Sequence, residues 1–279
     1  MNPEPDRSRA ARQAAESALV RVVHEYGRRP EFVVLGGLVP ELLCSASDMR
    51  HAGTTDIDVQ VNLEIASGLV NAASLEQALV AAGFSPSEKQ VWRWVTTAEG
   101  LRTEVKFEML ADLDDKPSGA MVTFDDCDQL GAANLRGTRF AAADFVSREM
   151  TAAVGDAEIS VEVYVTGLAG FLLAKAAAAR DRRATKDWYD IAFVLLHNDE
   201  GGLQGAVGAV RRQFADELAG MRTELDELAA NFVDRSAQGA RAYADQIVLN
   251  NASIDYEEAV TEGIVAVEAF CLGLSRGPN

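Results

Sequence analysis

Apolar residues recur along this chain with two different periods, and each period predicts a different kind of element. A period of three to four residues over 10–26 predicts an amphipathic helix, which Gly27 to Pro30 would end. A short apolar run at 32–35 is typical of a buried strand. Alternation of polar and apolar residues predicts half-buried strands at 56–61, 91–95, 103–110 and 158–165.

The pattern turns helical from Thr166 onward, and this change predicts the domain organisation. Helices are predicted at 38–46, 74–82, 168–180, 203–219, 221–233, 236–250 and 255–274. Thr185 is the predicted N-cap of a further helix, and segment 112–158 predicts loops with short strands. We therefore expect an α+β fold. A mixed sheet flanked by helices would occupy residues 1–165, and a helical domain would occupy residues 166–279.

Composition and charge narrow the class of protein. The chain has 279 residues, of which 48% are hydrophobic, and this predicts a folded globular protein. It has no apolar run long enough to cross a bilayer, and residues 1–12 lack the apolar core of a signal peptide, so we expect a cytoplasmic protein with no membrane partner. The three cysteines form no metal motif. A formal net charge of −17 argues against broad, sequence-independent binding of nucleic acids, which depends on cationic contacts to phosphates.

One segment departs from this acidic character. Residues 175–186 contain five basic residues and one acidic residue, which gives a local charge of +4. Such a patch suits a triphosphate or one end of an RNA. A solvated corner between two helices is the alternative interpretation.

The run from Gly53 to Val61 carries the clearest candidate chemistry. Asp56 and Asp58 alternate with Ile57 and Val59, so both carboxylates would lie on one face of a strand. Their backbone positions would be about 7 Å apart. Paired carboxylates suit a pair of hard divalent cations, which proteins use to transfer phosphoryl and nucleotidyl groups. For an isolated Asp-x-Asp, the solvated outer face of a half-buried strand is the alternative.

Two neighbouring motifs strengthen the metal interpretation. Upstream, Gly36 and Gly37 join a buried strand to the start of a helix, and backbone N–H groups in such a turn can approach a phosphate closely. A plain tight turn is the alternative for this pair. Downstream, the next long strand places Glu104, Lys106 and Glu108 on one face. Of the two glutamates, Glu108 is the candidate third carboxylate, and Glu104 is expected at the surface.

This order of motifs resembles the DNA polymerase β-like nucleotidyltransferases, and more closely the AbiEii/AbiGii-type nucleotidyltransferase toxins and the related mycobacterial tRNA-modifying toxins. Their pattern begins with a Gly-Gly turn, Asp-x-Asp on a strand and a third carboxylate on a later strand. It continues with a helix that carries a lysine, a basic turn and a Lys-Asp-x-x-Asp helix start. Here these are the helix from Leu168 to Arg180, the turn at 182–183, and residues 186–190, so the resemblance covers about residues 30–197.

The resemblance implies a Mg²⁺-dependent transfer of a nucleoside monophosphate from an NTP to an acceptor. Asp56, Asp58 and Glu108 would hold two Mg²⁺ ions, and Glu108 is also a candidate for accepting the acceptor's proton. The residues implied for nucleotide binding are Gly36, Gly37, Thr55, Lys175, Arg183 and Lys186.

The resemblance also implies catalytic roles for the later helices. Lys175 would be a point charge that offsets negative charge on the phosphates, although a lysine at the rim of a core is the alternative. Asp187 and Asp190 are three residues apart and would share a helix face, from which one of them would orient Lys175 or the acceptor. For Asp187, simple stabilisation of the helix dipole is the alternative.

Two positions depart from the pattern of the family. The family often has an Arg two residues before the Thr of its R-x-T-x-D-I-D run, and Ala52 stands at that position. Arg50 and His51 are candidate substitutes, and His51 is otherwise expected in a loop. The third carboxylate is Glu108, where an Asp is more common.

The sequence leaves three functions open. The first is a nucleotidyltransferase toxin that modifies a tRNA 3′ end or another RNA, and for which the resemblance implies a neutralising antitoxin protein. The second is a small-molecule nucleotidyltransferase, because an acidic cleft would attract a cationic aminoglycoside. The third is a non-catalytic homologue that binds a nucleotide or a partner. The altered Arg position motivates this third function, and the complete set of carboxylates argues against it.

Overall fold

The computed structural model describes residues 8–54, 56–61, 72–88, 90, 92–97 and 104–275. In this part of the chain a mixed sheet is combined with helices, and the expected α+β class is confirmed. The strands are β1 (Phe32–Leu35), β2 (Asp56–Val61), β3 (Ser85–Pro86), β4 (Arg93–Thr97), β5 (Glu104–Ala111), β6 (Met121–Thr123), β7 (Gly131–Asn134), β8 (Phe145–Val154) and β9 (Ala157–Thr166).

The helices alternate with these strands at first and then follow one another without interruption. They are α1 (Arg9–Tyr26), α2 (Val39–Leu43), α3 (Ala72–Ala81), α4 (Arg139–Ala143), α5 (Leu168–Arg182), α6 (Thr185–His197), α7 (Gly202–Phe214), α8 (Arg222–Ala230), α9 (Gln238–Asn250) and α10 (Tyr256–Ser275), and a 3-10 turn covers Gly36–Leu38. Among these described helices, none has both the length and the apolar character needed to cross a membrane.

The chain separates by its internal contacts into two compact units. The first unit comprises residues 1–39 and 53–166, and the second comprises residues 40–52 and 167–279. The short segment 40–52 thus groups with the C-terminal helices, whereas the sequence analysis joined it to the sheet domain. Within the second unit, α6 packs against α5, α7, α9 and α10.

The sheet lies in the first unit, and its strand order places β2 at the centre. The order is β3-β4-β5-β2-β1-β9-β8, and β7 pairs with the end of β5 and with β6. Strand β2 runs parallel to β5 and antiparallel to β1, and β4 runs antiparallel to β5. The turn predicted near residues 98–100 lies outside the described residues.

Side chains on the central strands alternate between two faces, as the sequence pattern predicts. Ile57, Val59, Phe107 and Met109 are fully buried and form the apolar face. Helix α1 packs against α3 and against strands β5, β8 and β9. On the opposite face, polar residues of β2 and β5 adjoin a small apolar cluster made by Leu35, Leu110, Ala133 and Ala141. The polar residues of β2 and β5 therefore lie next to a buried apolar cluster on the same face of the sheet.

Two predictions about these elements are wrong. Thr185 is the first residue of α6, because the extended backbone precedes it at Ala184, which makes no side-chain capping bond. Segment 112–158 contains β8, a ten-residue strand that pairs along its whole length with β9. Only Met150 of this strand is buried, so the strand lacks the apolar alternation by which a strand is predicted from sequence.

Candidate active site

Strand pairing brings the three predicted carboxylates onto one face of the sheet. Asp58 on β2 is directly beside Glu108 on β5, and Asp56 is directly beside Lys106. Residues paired in register project to the same side of a sheet, and residues two apart on one strand do so as well. Asp56, Asp58, Lys106 and Glu108 are all half-buried, whereas their neighbours along the strands are buried. The sequence prediction of a shared face is therefore met for these residues.

Two basic side chains contact these carboxylates. The Lys106 Nζ donates to Asp56 Oδ1 at 3.0 Å, and the Arg93 Nε donates to Glu108 Oε1 at 2.5 Å. Arg93 lies on β4 in register with Glu108, which explains why it reaches this carboxylate. We call the five residues Asp56, Asp58, Glu108, Lys106 and Arg93 the carboxylate face. Sequence reasoning placed Lys106 on this face and missed Arg93, because no local pattern indicates which residue of β4 pairs with Glu108.

The glycine pair packs directly against the carboxylate face. Gly36 has a φ of +78°, and a Cβ atom added there would lie 2.0 Å from Asp58 Oδ2. A Cβ atom on Gly37 would lie 2.9 Å from the Cβ atom of Thr54. Both glycines are buried. Close packing against Asp58 and Thr54 thus accounts for the need for glycine, and the implied contact with a phosphate stays a prediction.

The donor chemistry of the carboxylate face fits Mg²⁺. Asp56, Asp58 and Glu108 supply only hard carboxylate oxygens, which are the ligands that Mg²⁺ prefers. Among the described residues, no group of three or more His, Cys, Asp or Glu side chains is positioned to hold a metal ion without rearrangement. Two of the three carboxylates are instead turned to Lys106 and Arg93. Binding a cation here requires these basic partners to be exchanged, and both are partly exposed.

A second set of charged residues lies within the second unit. The Lys175 Nζ donates to Asp187 Oδ1 at 2.9 Å and to Asp190 Oδ2 at 2.8 Å. The Arg182 Nη2 also donates to Asp187 Oδ1, at 3.0 Å, and His51 Nε2 lies 2.9 Å from Asp190 Oδ1. We call Lys175, Asp187, Asp190, Arg182 and His51 the buried ion network. The predicted proximity of Lys175 to the two aspartates is therefore present in the structure.

Burial and charge oppose each other at Lys175. Burial lowers the pKa of Lys175, while the negative charges of Asp187 and Asp190 raise it, and the net result is a raised pKa. Lys175 is therefore held in its charged form. Asp187 is fully buried, and within the described residues its Oδ2 atom has no hydrogen-bond partner. Asp187 thus does more than stabilise a helix dipole, which was the alternative interpretation of this residue.

His51 is a member of this network that sequence reasoning did not assign. Its ring stacks on Tyr189 and meets Phe193 edge-on, with both centroid distances at 5.0 Å. The adjacent N–H group of Ala52 donates to the Tyr189 hydroxyl at 3.1 Å. The one available signal was the position of His51 beside the altered Arg position. The spacing to Asp190, 139 residues later, carries no local pattern.

The basic segment 175–186 is offset by acidic residues of α8. Arg180 lies 2.5 Å from Glu224, and Arg183 lies 3.7 Å from Glu227. These pairs reduce the local positive charge that the sequence predicts. Lys186 is half-buried on the first turn of α6, and its implied role in nucleotide binding stays a prediction, as does that of Arg183. Thr55, a further predicted nucleotide ligand, lies outside the described residues.

The structure thus groups the predicted site residues into two sets, one in each unit. Asp56, Asp58, Glu108, Gly36 and Gly37 lie together in the first unit. The second unit brings together Lys175, Asp187 and Asp190. In comparisons with known proteins, the chain matches no family model, no curated protein and no solved structure.

Proposed function

We propose that this protein is a Mg²⁺-dependent nucleotidyltransferase that transfers a nucleoside monophosphate from an NTP to an acceptor, with the 3′ end of a tRNA or another RNA as the acceptor. The observation that carries the proposal is the pairing of Asp58 with Glu108 in register on adjacent parallel strands, with Asp56 on the same face. If these residues only formed the solvated face of a half-buried strand, three neighbouring carboxylates would not be required. Grouping like charges this closely is unfavourable unless cations compensate them.

The residues of the first unit have distinct roles in this proposal. Asp56, Asp58 and Glu108 would hold Mg²⁺, and bound Mg²⁺ would neutralise the triphosphate and lower the pKa of the acceptor hydroxyl. Gly36 allows the backbone of the strand–helix turn to lie close to Asp58, because a Cβ atom there would collide with this carboxylate. The apolar cluster around Leu35 and Leu110 supports the same face. Glu108 is also the candidate for accepting the proton of the acceptor.

The roles of the second unit rest on the resemblance. The resemblance implies that Lys175 offsets charge on the phosphates and that Asp187 and Asp190 orient it. The contacts of Lys175 support the orienting part, because both aspartates hold its ammonium group at 2.8–2.9 Å. A toxin activity and a neutralising antitoxin protein belong to the same proposal and rest on the resemblance alone.

A small-molecule acceptor is the second candidate, and the net charge of −17 favours it. An acidic protein attracts a cationic acceptor such as an aminoglycoside and repels the phosphate backbone of RNA. The local charge of 175–186, which favoured RNA in the sequence analysis, is offset by Glu224 and Glu227. RNA stays the first candidate because the toxins that the motifs resemble modify tRNA.

One labelling experiment tests the reaction and separates the acceptors. Purified protein is incubated with Mg²⁺, each α-³²P-labelled NTP, and either total tRNA or an aminoglycoside. The Asp58→Asn variant is expected to lose about 10³-fold or more of the transfer rate, since a metal contributes several kcal/mol to the transition state. Glu104→Gln is the matched control, because Glu104 lies on β5, the strand that carries Glu108, is exposed and is absent from the proposed metal set.

Each outcome of this experiment decides between the candidates. Label on RNA from the wild type and the control variant, but not from Asp58→Asn, supports the RNA nucleotidyltransferase. Label on the aminoglycoside alone moves the proposal to the small-molecule enzyme. Absence of label in every reaction, with Asp58→Asn indistinguishable from the wild type in metal and nucleotide binding, contradicts the enzymatic proposal and favours a non-catalytic protein.

A further inference from the structure

The carboxylate face carries two basic residues that the predicted mechanism leaves without a role. Lys106 and Arg93 come from different strands, β5 and β4, and both project onto the face that bears Asp56, Asp58 and Glu108. Each contacts a different carboxylate, Lys106 that of Asp56 and Arg93 that of Glu108. Their side chains are 24% and 30% exposed, whereas those of Asp56 and Glu108 are 19% and 14% exposed. The basic groups are therefore the outer partners of each pair.

Stability alone does not explain two basic residues at this place. Ion pairs of partly exposed side chains contribute about 0–1 kcal/mol to folding. Three carboxylates and two cations leave this face with a net charge of −1 instead of −3. The pairs thus reduce the repulsion among the carboxylates, and a bound divalent cation would reduce it in the same way.

A carboxylate oxygen in close contact with Mg²⁺ is no longer an equally good partner for an ammonium or guanidinium group, because the metal already neutralises its charge. Metal binding at Asp56 and Glu108 would therefore weaken the hold on Lys106 and Arg93. Both side chains are long, and both reach solvent. Released at this face, they would be cations near the triphosphate of a metal–nucleotide complex held by the same carboxylates.

We propose that Lys106 and Arg93 bind the triphosphate, and that Asp56 and Glu108 hold them in place until a metal–nucleotide complex takes over those carboxylates. This inference rests on the proposed nucleotidyltransferase function and adds two nucleotide-binding residues to it. The chemistry suits both side chains. Lysine is a compact point charge for a phosphate oxygen, and the guanidinium of arginine can donate two parallel hydrogen bonds to one phosphate.

The inference predicts that the affinities for metal and for nucleotide respond differently to loss of these residues. In the Lys106→Met variant, Asp56 loses its competing cation, so Mn²⁺ binding measured by electron paramagnetic resonance is expected to stay equal or become about threefold tighter. Binding of a non-hydrolysable α,β-methylene NTP in the presence of Mg²⁺ is expected to become about tenfold weaker in the same variant, from the loss of one phosphate contact. Arg93→Met is expected to behave in the same way, and Lys106→Arg is expected to retain most of the nucleotide affinity.

Arg28→Met is the matched control. Arg28 is also the basic member of an ion pair in the first unit, with Glu31 as its partner; it is 57% exposed and has no place on the carboxylate face. Its substitution is expected to leave both affinities unchanged. This comparison removes the general effect of taking one positive charge from an acidic protein.

The outcomes separate this inference from the proposed function. If Mn²⁺ and the NTP analogue bind and neither affinity changes in Lys106→Met or Arg93→Met, then the two residues only form surface ion pairs and the inference is wrong. A loss of both affinities together in these variants also overturns it, because a purely structural role would produce that loss. If the wild type binds no Mn²⁺ and Asp58→Asn makes no difference, the proposed function fails, and this inference fails with it.

Discussion

The carboxylate face and the buried ion network are built from similar charges and differ in burial. Each combines two or three carboxylates with basic partners at distances of 2.5–3.0 Å. On the carboxylate face the side chains of the two ion pairs are 14–30% exposed, while those of Lys175, Asp187 and Asp190 are at most 7% exposed. Water can replace a partner on the face and cannot easily do so at Lys175, Asp187 and Asp190, whereas Arg182 at the edge of the network is 40% exposed.

This difference in burial predicts different roles for the two regions, one in stability and the other in ligand binding. A buried charge that loses its partner costs several kcal/mol, so Lys175, Asp187 and Asp190 are fixed to one another. A partly exposed pair can open at a cost of about 1 kcal/mol or less, so the carboxylate face is free to exchange cations. We therefore expect substitutions in the network to act mainly on stability and substitutions on the face to act mainly on ligand binding.

The largest expected effect is that of Lys175→Met. This change leaves Asp187 and Asp190 buried without the ammonium that contacts both of them. The free energy of unfolding, measured by urea titration, is expected to fall by about 3–5 kcal/mol. Arg235→Met is the control, because Arg235 and its partner Glu257 are more than 60% exposed, and a loss of at most about 1 kcal/mol is expected there.

A small effect of Lys175→Met on stability, combined with a large loss of nucleotidyl transfer, would break the comparison. It would mean that Lys175 acts on the substrate and that the two aspartates tolerate its absence. The resemblance implies a catalytic role for Lys175. The transfer rate of this variant must therefore be measured without urea and at a temperature at which the variant is folded. Circular dichroism checks that condition.

His197 sharpens the comparison, because it is a half-buried basic group whose pKa, in contrast to that of Lys175, is shifted by burial alone. Burial lowers its pKa from 6.5 to about 4. The folded protein thus binds the proton less readily than the unfolded chain, and the stability that neutral His197 confers is complete above pH 6.5 and is lost as the pH falls towards 4. The shift corresponds to about 3 kcal/mol at most. Lys175 shows the opposite result, since two aspartates outweigh its burial.

Urea titrations between pH 7 and pH 4 measure this contribution. His197→Phe keeps an aromatic ring beside Phe193, whose ring centroid is 4.8 Å away, and removes the titrating group. The loss of stability on acidification should be smaller in this variant than in the wild type. His24→Phe changes an exposed histidine and should leave the pH profile as it is. Equal pH profiles for the wild type and His197→Phe would show that His197 does not set the acid sensitivity.

Gly36→Ala tests how rigidly the carboxylate face is held. The added methyl group would meet Asp58 Oδ2 at 2.0 Å, and the left-handed φ of +78° adds backbone strain. We expect a loss of about 1–3 kcal/mol in the free energy of unfolding. Gly155→Ala isolates the backbone part, because Gly155 has a φ of +61° and open space around its Cβ position.

The second substitution Asp58→Ala separates steric from backbone effects at Gly36. If contact with Asp58 causes the loss, then Gly36→Ala should be less destabilising in an Asp58→Ala background than in the wild type. An equal loss in both backgrounds would show that the carboxylate of Asp58 does not cause it, because the Cβ atom of residue 58, 2.9 Å from the added methyl group, is present in both. In that case the glycine turn would not position Asp58.

The sequence predicts the carboxylate face well because its information is local. Alternation of Asp56 and Asp58 with Ile57 and Val59 defines the polar and apolar sides of β2, and the same period places Lys106 and Glu108 on β5. The carboxylates of β2 and β5 then come together once the two strands pair in the correct register. The contribution of Arg93 was missed because register between strands depends on long-range packing, which no local pattern encodes.

The buried ion network is less predictable for the same reason. Asp187 and Asp190 are close enough in sequence for helical spacing to suggest a shared face, and the family resemblance links them to Lys175 on the preceding helix. His51 joins them across 139 residues, and a histidine in a polar loop is usually expected at the surface. Strand β8 shows the same limit, since a strand with one buried side chain has no hydrophobic period to detect.

The smallest expected change in stability tests where the network ends. Arg183 follows α5 and is 70% exposed, and its 3.7 Å pair with Glu227 is half open to water. Arg183→Gln should therefore change the free energy of unfolding by less than about 1 kcal/mol. The resemblance also gives Arg183 a role in nucleotide binding, for which a loss of one phosphate contact would weaken binding of the NTP analogue by about tenfold. Arg212→Gln, with 71% exposure and Glu200 as its partner, is the control for both measurements. If the two variants bind the analogue equally well, Arg183 belongs to the exposed pairs of the helical unit and has no part in holding the triphosphate.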